Sequence, residues 1–475
     1  MNRLLPLLAT AVILLTCHPG YAQHPNIILI MTDDQGWMDA GFNGNETLQT
    51  PHMDKLANMG IVFDRFYSAS PVCSPTRASL ITGRNPVRMG IANANQGHMK
   101  EKEITLPEIL KEQGYTTGHF GKWHLGTLTK ATLDANRGGK PDQEIHYSTP
   151  SMNGYDHYFC SESKVPTFDP LKKPENFEDG ESLRYGWKAR ENTGRVFSDY
   201  GTHYWIGEEL QVETNISGDD AQVITDRLVP FIDQAIEEDK PFFSTVWYHT
   251  PHLPVVADKA HRDRYADLSF EEQLYYGTIT AMDEQIGRLW EHLTEKGIAE
   301  NTIIMFCSDN GPERNTPGSA GKFRDRKRSL YEGGVRVPAF ALWKGTWEGG
   351  KRVDFPAVTS DYLPTILDIL DIPYPDDHRP IDGESFLPTL LGNAQHREKP
   401  IGFIYLDQFR VSWVGEQYKL VRDGDDQPFE LYDLVNDPSE QENIIQQFPF
   451  IAAKMAEEFQ EWLKGVENSQ TGADY

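Results

Sequence analysis

Asp33-Asp34, Lys122-Trp123-His124, His249-Thr250-Pro251-His252 and Asp309-Asn310-Gly311 are short polar clusters that could hold a cation, an anion or a mobile proton, and each closely follows an apolar run. Asp33, Asp34, Asp309 and Asn310 offer only hard oxygen donors, a set that suits calcium or magnesium and not zinc. An acidic pair after a strand often merely caps a helix or faces solvent, but two such groups at two strand ends weaken that explanation. Lys122 adds positive charge, and His124, His249 and His252 carry imidazoles, the ring most used to move protons in catalysis. A further cluster, Cys73-Ser74-Pro75-Thr76-Arg77, has the grammar of a helix start: Ser74 can cap a helix whose first position is Pro75. That places residue 73 at a helix N-terminus, where amide dipoles favour an anion, with Arg77 one turn on along the same face. Helix N-termini also activate ordinary thiols, so a redox thiol or one half of a disulfide is the alternative for Cys73. Lys327 sits in the basic run Lys322–Arg328, which by itself reads as a solvated loop.

The apolar runs before these clusters, Asn26–Met31, Tyr115–Phe120, Pro241–Trp247 and Thr302–Phe306, have the continuous hydrophobicity of strands buried on both faces. In open α/β sheets ligands bind beyond the carboxyl ends of parallel strands, so clusters that share this position converge on one site. Helical periodicity lies between the runs, at Met53–Met59, Leu106–Gln113, Ala221–Glu238 and Phe270–Lys296. From Thr127 to Gly218 periodicity is lost, and a segment rich in Gly, Pro, Asn, Tyr and Trp reads as loops and short excursions rather than a packed domain, of the kind that shape a pocket beside a site. Its aromatics, Tyr147, Tyr155, Tyr158, Tyr185, Trp187, Tyr204 and Trp205, suit stacking on sugar rings or simple packing of the loops. Beyond residue 395, Ile401–Leu406, Phe409–Val414 and Tyr418–Val421 read as short antiparallel strands and Pro449–Gly465 as an amphipathic helix. The division expected is therefore 1–22 leader, 23–395 catalytic domain and 396–475 C-terminal subdomain.

Arg3, the apolar stretch Leu4–Leu15 and the small residues Gly20 and Ala22 read as an export signal, with cleavage expected after Ala22. A lipoprotein signal ending at Cys17 is a lesser alternative, because Thr16 is bulkier than the small residue wanted before such a cysteine. The leader falls short of the roughly 20 apolar residues that span a bilayer, and no later segment reaches that length. Cleavage removes one of four cysteines and one arginine, so the formal net charge moves from -26 to about −27. This acidity argues against nucleic acid and anionic membranes as partners, and an anionic substrate needs a local basic exception. Cys73, Cys160 and Cys307 remain, an odd number that makes one cysteine chemically special or leaves one over. Cys307, after a core strand, reads as apolar filler, and no disulfide with Cys160 is expected.

The run Pro71–Arg84, read as PVCSPTRASLITGR, resembles the sulfatase signature, in which a Cys-x-Pro-x-Arg core directs oxidation of the cysteine to formylglycine. Gly114–His124 resembles the family's second signature, with Phe120 where a smaller aliphatic is commoner. Asp33-Asp34, Pro251-His252-Leu253-Pro254, Asp309-Asn310-Gly311 and Lys327 before Tyr331-Glu332-Gly333-Gly334 extend the likeness over nearly the whole mature chain. The resemblance implies an alkaline-phosphatase-like α/β fold: a mixed, mostly parallel sheet flanked by helices, with the C-terminal antiparallel sheet-plus-helix subdomain. It implies that Cys73 is modified to formylglycine (3-oxoalanine) by a maturation enzyme, and that residue 73, Asp33, Asp34, Asp309 and Asn310 bind one calcium ion. Arg77, Lys122 and Lys327 match positions that hold sulfate and nucleophile, and His124 the residue that accepts a proton from the hydrated aldehyde. Of two candidates for the acid, the His-x-Pro setting favours His252, which leaves His249 a substrate contact. A plain thiol would form a sulfur adduct with no easy release, whereas a hydrated aldehyde can expel sulfate as the aldehyde re-forms. The function expected is an exported, periplasmic or secreted sulfatase of bacterial type acting on sulfated carbohydrates. Its rivals are a phosphonate or phosphodiester hydrolase of the same superfamily and a sulfoglycan-binding protein without catalysis.

Overall fold

The computed structural model describes residues 24–174, 199–376, 378–393, 396–405 and 409–475 of the 475-residue chain. The expected leader with Cys17, the aromatics Tyr185 and Trp187, the end of the predicted strand at Leu406 and the boundary residue 395 lie outside the described residues.

A ten-stranded mixed sheet organises the molecule. At its centre Thr302–Ser308, Asn26–Thr32, Phe242–Trp247, Thr116–Lys122 and His157–Ser161 lie side by side in that order, all parallel. The Asn26–Thr32 strand is wholly buried, and its residues alternate: Ile27, Leu29 and Met31 join one apolar core while Ile28 and Ile30 join another on the opposite face. That double burial explains why the strand reads as a continuous apolar run. Three of the four predicted strands run one or two residues further than their apolar stretches, so Lys122 closes its strand and Asp309 directly follows Ser308. The helices Pro51–Met59, Leu106–Glu112, Asp220–Glu237 and Phe270–Glu295 lie where periodicity expects them. Capping is local: Asp219 accepts the N–H of Gln222, and Ser269 with Glu272 forms a reciprocal capping box.

The 127–218 segment, read as loops and short excursions, contributes short strands. His157–Ser161, Tyr204–Trp205 and Gln211–Val212 extend the main sheet along one edge. Strands of two to five residues are too short to leave a period in sequence. Tyr155, Tyr158, Tyr204 and Trp205 are buried, so these aromatics pack the interior and not a sugar, while Tyr147 stays half-buried under Lys130.

The C-terminal sheet has four antiparallel strands, Ile401–Tyr405, Arg410–Val414, Tyr418–Arg422 and an unexpected fourth, Glu430–Asp433. Helix Pro449–Gln470 packs on one face. The other face shares a core with Tyr67, Val72, Leu330, Tyr331 and Val335. A buried charge cluster fastens this junction: Lys419 Nζ lies 2.8 Å from Glu332 and 2.9 Å from Glu440, and Tyr67 donates to Glu332 at 2.9 Å. Burial pushes Glu440 up to about 7 against the pull of Lys419. Removing one partner of a buried ion pair leaves the rest uncompensated, so Lys419→Met is expected to lower unfolding free energy by about 3–5 kcal/mol. Denaturant titration checks this, and a loss under about 1 kcal/mol, the scale of exposed pairs, would contradict it.

Candidate functional site

The four clusters meet at the carboxyl ends of the central parallel strands. Asp33 donates its backbone N–H to Thr250 O at 3.1 Å, and Asp309 does the same to Thr32 O at 3.0 Å. These bonds stitch three strand ends together and set the side chains in register. Asp34 and His124 occupy left-handed backbone conformations, φ 67° and 57°, that L side chains visit at a cost.

Helix Cys73–Thr82 delivers the sulfur to this point. It begins earlier than the capping argument expects: Val72 is the cap residue, without a side-chain cap bond, and Cys73 is the first helical position. Ser74 does not cap, and its buried Oγ has no partner among the described residues. The extended Val72 backbone makes the helical entry instead, and Thr76 Oγ1 ties it down by donating to Ser70 O and Val72 O at 3.0 and 3.2 Å. All ten helix residues are buried, so the first-turn amides point into a water-poor pocket.

Three carboxylates and three cations interlock around Cys73. Lys122 Nζ lies 2.6 Å from Asp33, Lys327 Nζ 2.5 Å from Asp34, and Arg77 2.7 Å from Asp309 and 3.4 Å from Asp33. Cys73 Sγ lies 3.4 Å from Asp33 Oδ1 and 3.6 Å from Lys327 Nζ. Lys327 is thus drawn out of its basic run into the pocket, with Glu313 3.6 Å away on its other side. Burial raises Asp33, but Lys122, His252, Arg77 and Lys327 together hold it well below the usual carboxylate range. Asp309 is instead pushed up to about 7 by burial and by Asp33, against Arg77.

Burial, Asp309 and Asp33 push the Cys73 thiol far up, against the pull of Lys122 and Lys327. A low-pKa redox thiol is therefore a poor description of residue 73. All three cysteines described are free, so a disulfide role finds no partner among the described residues.

The donor set fits a hard cation. Asp34 Oδ2 and Asn310 Oδ1 are buried oxygens with no hydrogen-bond partner among the described residues, which is costly unless something electropositive meets them. Ligand atoms of Asp33, Asp34, Cys73 and His252 all lie within 4.8 Å of one another. Asn310 is brought to the same point, its Nδ2 donating to Asp34 Oδ1 at 2.7 Å. Asp309 is adjacent, with Oδ1 accepting the Asp34 N–H at 3.1 Å and Oδ2 facing Arg77.

The histidines separate by burial and bonding. His252 Nδ1 donates to Leu253 O at 2.5 Å, so Nε2 is the atom that faces Asp34, at 3.7 Å. Burial lowers its imidazole to about 3, with Asp33 and Asp34 opposing. His249, expected at the substrate, lies wholly inside the protein: Nδ1 is 2.8 Å from Asp220, and Nε2 2.7 Å from Ser161 Oγ. With both nitrogens engaged it props the 161–163 turn. Ser161, His249 and Asp220 have the connectivity of a hydrolytic triad, but all three are sealed from solvent.

Sequence reasoning missed Asn95, Glu313 and Lys164. Asn95 contacts His124 Nε2 at 2.8 Å, and Glu313 backs Lys327. Lys164, in the turn after His157–Ser161, is held down to about 8 by burial and by Lys122 and Lys327. These three residues lie in loops, where no period marks them, and only the fold carries them to the pocket.

The family model described as Sulfatase matches residues 25–372, and one described as N-sulphoglucosamine sulphohydrolase, C-terminal, matches 318–466. The chain is a member of the sulfatase family. It is 32% identical over 422 residues to N-acetylgalactosamine-6-sulfatase of Mus musculus, covering 84% of this chain and 72% of that one. Human arylsulfatase A is 30% identical over 415 residues, covering 82% and 72%. Among solved structures, Ps i-CgsB superposes with a TM-score of 0.77 at 26% identity over 92% of each chain. A phosphonate monoester hydrolase of Agrobacterium radiobacter, at 19% identity, TM-score 0.61 and coverage of 93% and 96%, shares the fold. The enzyme is accordingly a sulfuric ester hydrolase with an alkaline-phosphatase-like fold.

The raised thiols give a direct check on the protein with cysteine at residue 73. Cys73, Cys160 and Cys307 are all buried with upward-shifted pKa values, so none is expected to react with a thiol reagent at pH 7 in the native state, and all should react after denaturation. Rapid native labelling at Cys73 would return it to the class of activated thiols.

Proposed function

We propose that this sulfatase removes O-sulfate groups from carbohydrates, using formylglycine at residue 73 and one calcium ion held by Asp33, Asp34, Asp309, Asn310 and residue 73. The observation that carries the reading is the pairing of an unactivated, deeply buried Cys73 with two orphaned ligand oxygens, Asp34 Oδ2 and Asn310 Oδ1. A thiol in that state is a poor nucleophile, while the same position oxidised and hydrated supplies a hydroxyl to attack sulfur and a second to release sulfate. Calcium would supply charge neutralisation beside the ester.

The protein's own groups then divide the work. Arg77, Lys122 and Lys327 surround residue 73 with positive charge for the peripheral sulfate oxygens, the main need of such a transfer. His252 offers Nε2 to the departing oxygen, and because burial keeps it neutral without ligand, the bound anionic ester is what favours its protonated form. His124 receives a proton later, when sulfate leaves residue 73. His249 serves the substrate through the Ser161 turn it supports. The carbohydrate assignment is supported by relatives acting on N-acetylgalactosamine 6-sulfate, as their name states, and by a solved complex of Ps i-CgsB with k-i-k-neocarrahexaose, 27% identical to this chain. We further read residues 1–22 as an export signal, 23–395 as the catalytic domain and 396–475 as the C-terminal subdomain. A formylglycine-generating enzyme is the maturation partner, and the mature protein is periplasmic or secreted.

Mass spectrometry of active enzyme should find residue 73 about 18 Da lighter than cysteine, as conversion of the thiol carbon to an aldehyde requires. Full activity with unmodified cysteine would overturn the mechanism. Side-by-side rates on sulfate and phosphodiester forms of one aryl group, then on defined sulfated saccharides, test the substrate class, and faster phosphodiester cleavage would favour the phosphodiesterase reading. His252→Ala should lose about 10²- to 10⁴-fold on a sugar sulfate, the usual worth of a general acid, and far less on a nitrophenyl sulfate. Equal losses on both would remove His252 from the acid role. Adding calcium at about 100 times its Kd to metal-stripped protein should stabilise it by about 2.7 kcal/mol, and an unchanged melting temperature would refute the metal site.

A further inference from the structure

His124 is held from two sides. Its backbone N–H donates to Glu162 O at 2.9 Å, and its ring Nε2 lies 2.8 Å from Asn95 Oδ1. The same amide oxygen accepts Asn136 Nδ2 at 3.0 Å, and Asn136 Nδ2 also reaches Ser163 Oγ at 3.3 Å. Two donors converging on Asn95 Oδ1 make it an acceptor, so His124 presents Nε2–H. A neutral imidazole carries one ring proton, which leaves Nδ1 with a lone pair. Nδ1 is buried and without a hydrogen-bond partner among the described residues, although the cost of such an orphan is high. The ring is neutral as well as oriented: burial, Lys122, Arg137 and Arg77 hold it well below its ordinary value, with Asp33 pulling the other way.

We propose that Asn95, backed by Asn136, is a positioning residue that locks His124 as the Nε2–H tautomer and reserves Nδ1 as the basic atom for the nucleophile at residue 73. This inference rests on His124 acting as the base. In that step Nδ1 takes the hydroxyl proton of residue 73, sulfate departs with the electron pair of its bond to carbon, and the ring afterwards gives its proton to water. Without Asn95 the ring is free to place its proton on Nδ1, where it cannot act.

Asn95 lies in the left-handed region, φ 61°, so Ala there would add strain of its own. Asn95→Gly removes the amide without that strain, and Asn95→Asp keeps an acceptor in a residue that tolerates the conformation. Asn95→Gly should lower kcat by about 10- to 100-fold, the range seen when a partner that orients a histidine is lost, with KM little changed and equal losses on good and poor leaving groups. Intact mass should then show sulfated residue 73 accumulating. Asn95→Asp should recover much of kcat at high pH. Because a carboxylate favours imidazolium and the base must be unprotonated, the acid limb of its kcat profile should move to higher pH, with Lys122, Arg137, Arg77 and Asp33 unchanged around the ring. Asn136→Ala, which leaves the backbone at 95 untouched, should show a weaker form of the Asn95→Gly pattern. Ring ¹⁵N shifts of His124 in the unmatured Cys73 protein, assigned by their loss in His124→Gln, read the tautomer without any turnover. Nε2–H in the wild type and a mixture in Asn95→Gly are expected. A wild-type ring protonated at Nδ1, or an Asn95→Gly enzyme with unchanged kcat and pH limb while His124→Gln is impaired, would overturn the proposal. Normal turnover by His124→Gln would instead remove His124 from the base role, leaving the ¹⁵N result to judge the lock by itself.

Discussion

Everything in the pocket depends on neutralising Asp33, Asp34 and Asp309, which the parallel strand ends force together and strip of water. Carboxylates so placed repel one another and lose hydration, and the protein offsets this with Arg77, Lys122 and Lys327 at 2.5–2.7 Å. The balance is uneven: Asp33 collects most of the positive charge and stays ionised, while Asp309 shares Arg77 with Asp33 and is pushed up. Such a cluster is close to neutral by itself. A bound divalent cation would tip it positive and create a local anion site within a chain whose formal net charge is -26.

The same balance ties the C-terminal sheet to the pocket. Lys327 enters the pocket from a loop whose far end, Tyr331-Glu332, is clamped by Lys419 and Glu440. Arg410 donates to Arg328 O, directly beside Lys327. The Lys327 ammonium therefore has an address set by residues about 90 positions downstream. A domain division drawn from sequence separates these parts, but the core shared by Val72, Leu330 and Phe403 joins them physically.

The central strands and long helices are legible in sequence because burial leaves period and hydrophobicity behind, as in Asn26–Thr32 and Phe270–Glu295. The convergence of four clusters is legible because each follows such a strand. Legibility fails where contacts are long-range or elements short. Nothing local says that Ser74 leaves the cap to Val72, that Tyr204 and Trp205 are interior, or that Glu430–Asp433 adds a strand. Asn95 and Lys164 are ordinary loop residues until the sheet edge at His157–Ser161 brings their loops to the pocket. His249 shows the reverse case: expected at the substrate once His252 is chosen as the acid, it has its Nδ1 held by Asp220, 29 residues upstream.

His124 and His252 illustrate how backbone and loop contacts assign direction to chemically identical rings. His252 gives Nδ1–H to Leu253 O and leaves Nε2 toward Asp34, whereas His124 gives Nε2–H to Asn95 and leaves Nδ1. Each ring thus has one nitrogen fixed by structure and one available, and the two carry opposite tautomers. While a ring is neutral its free nitrogen carries a lone pair, so the two bonds fix which nitrogen of each ring stays available. A tautomer switch in either ring then costs a buried hydrogen bond, about 1–3 kcal/mol in an interior that offers no replacement, so each ring keeps the direction that the fold gives it.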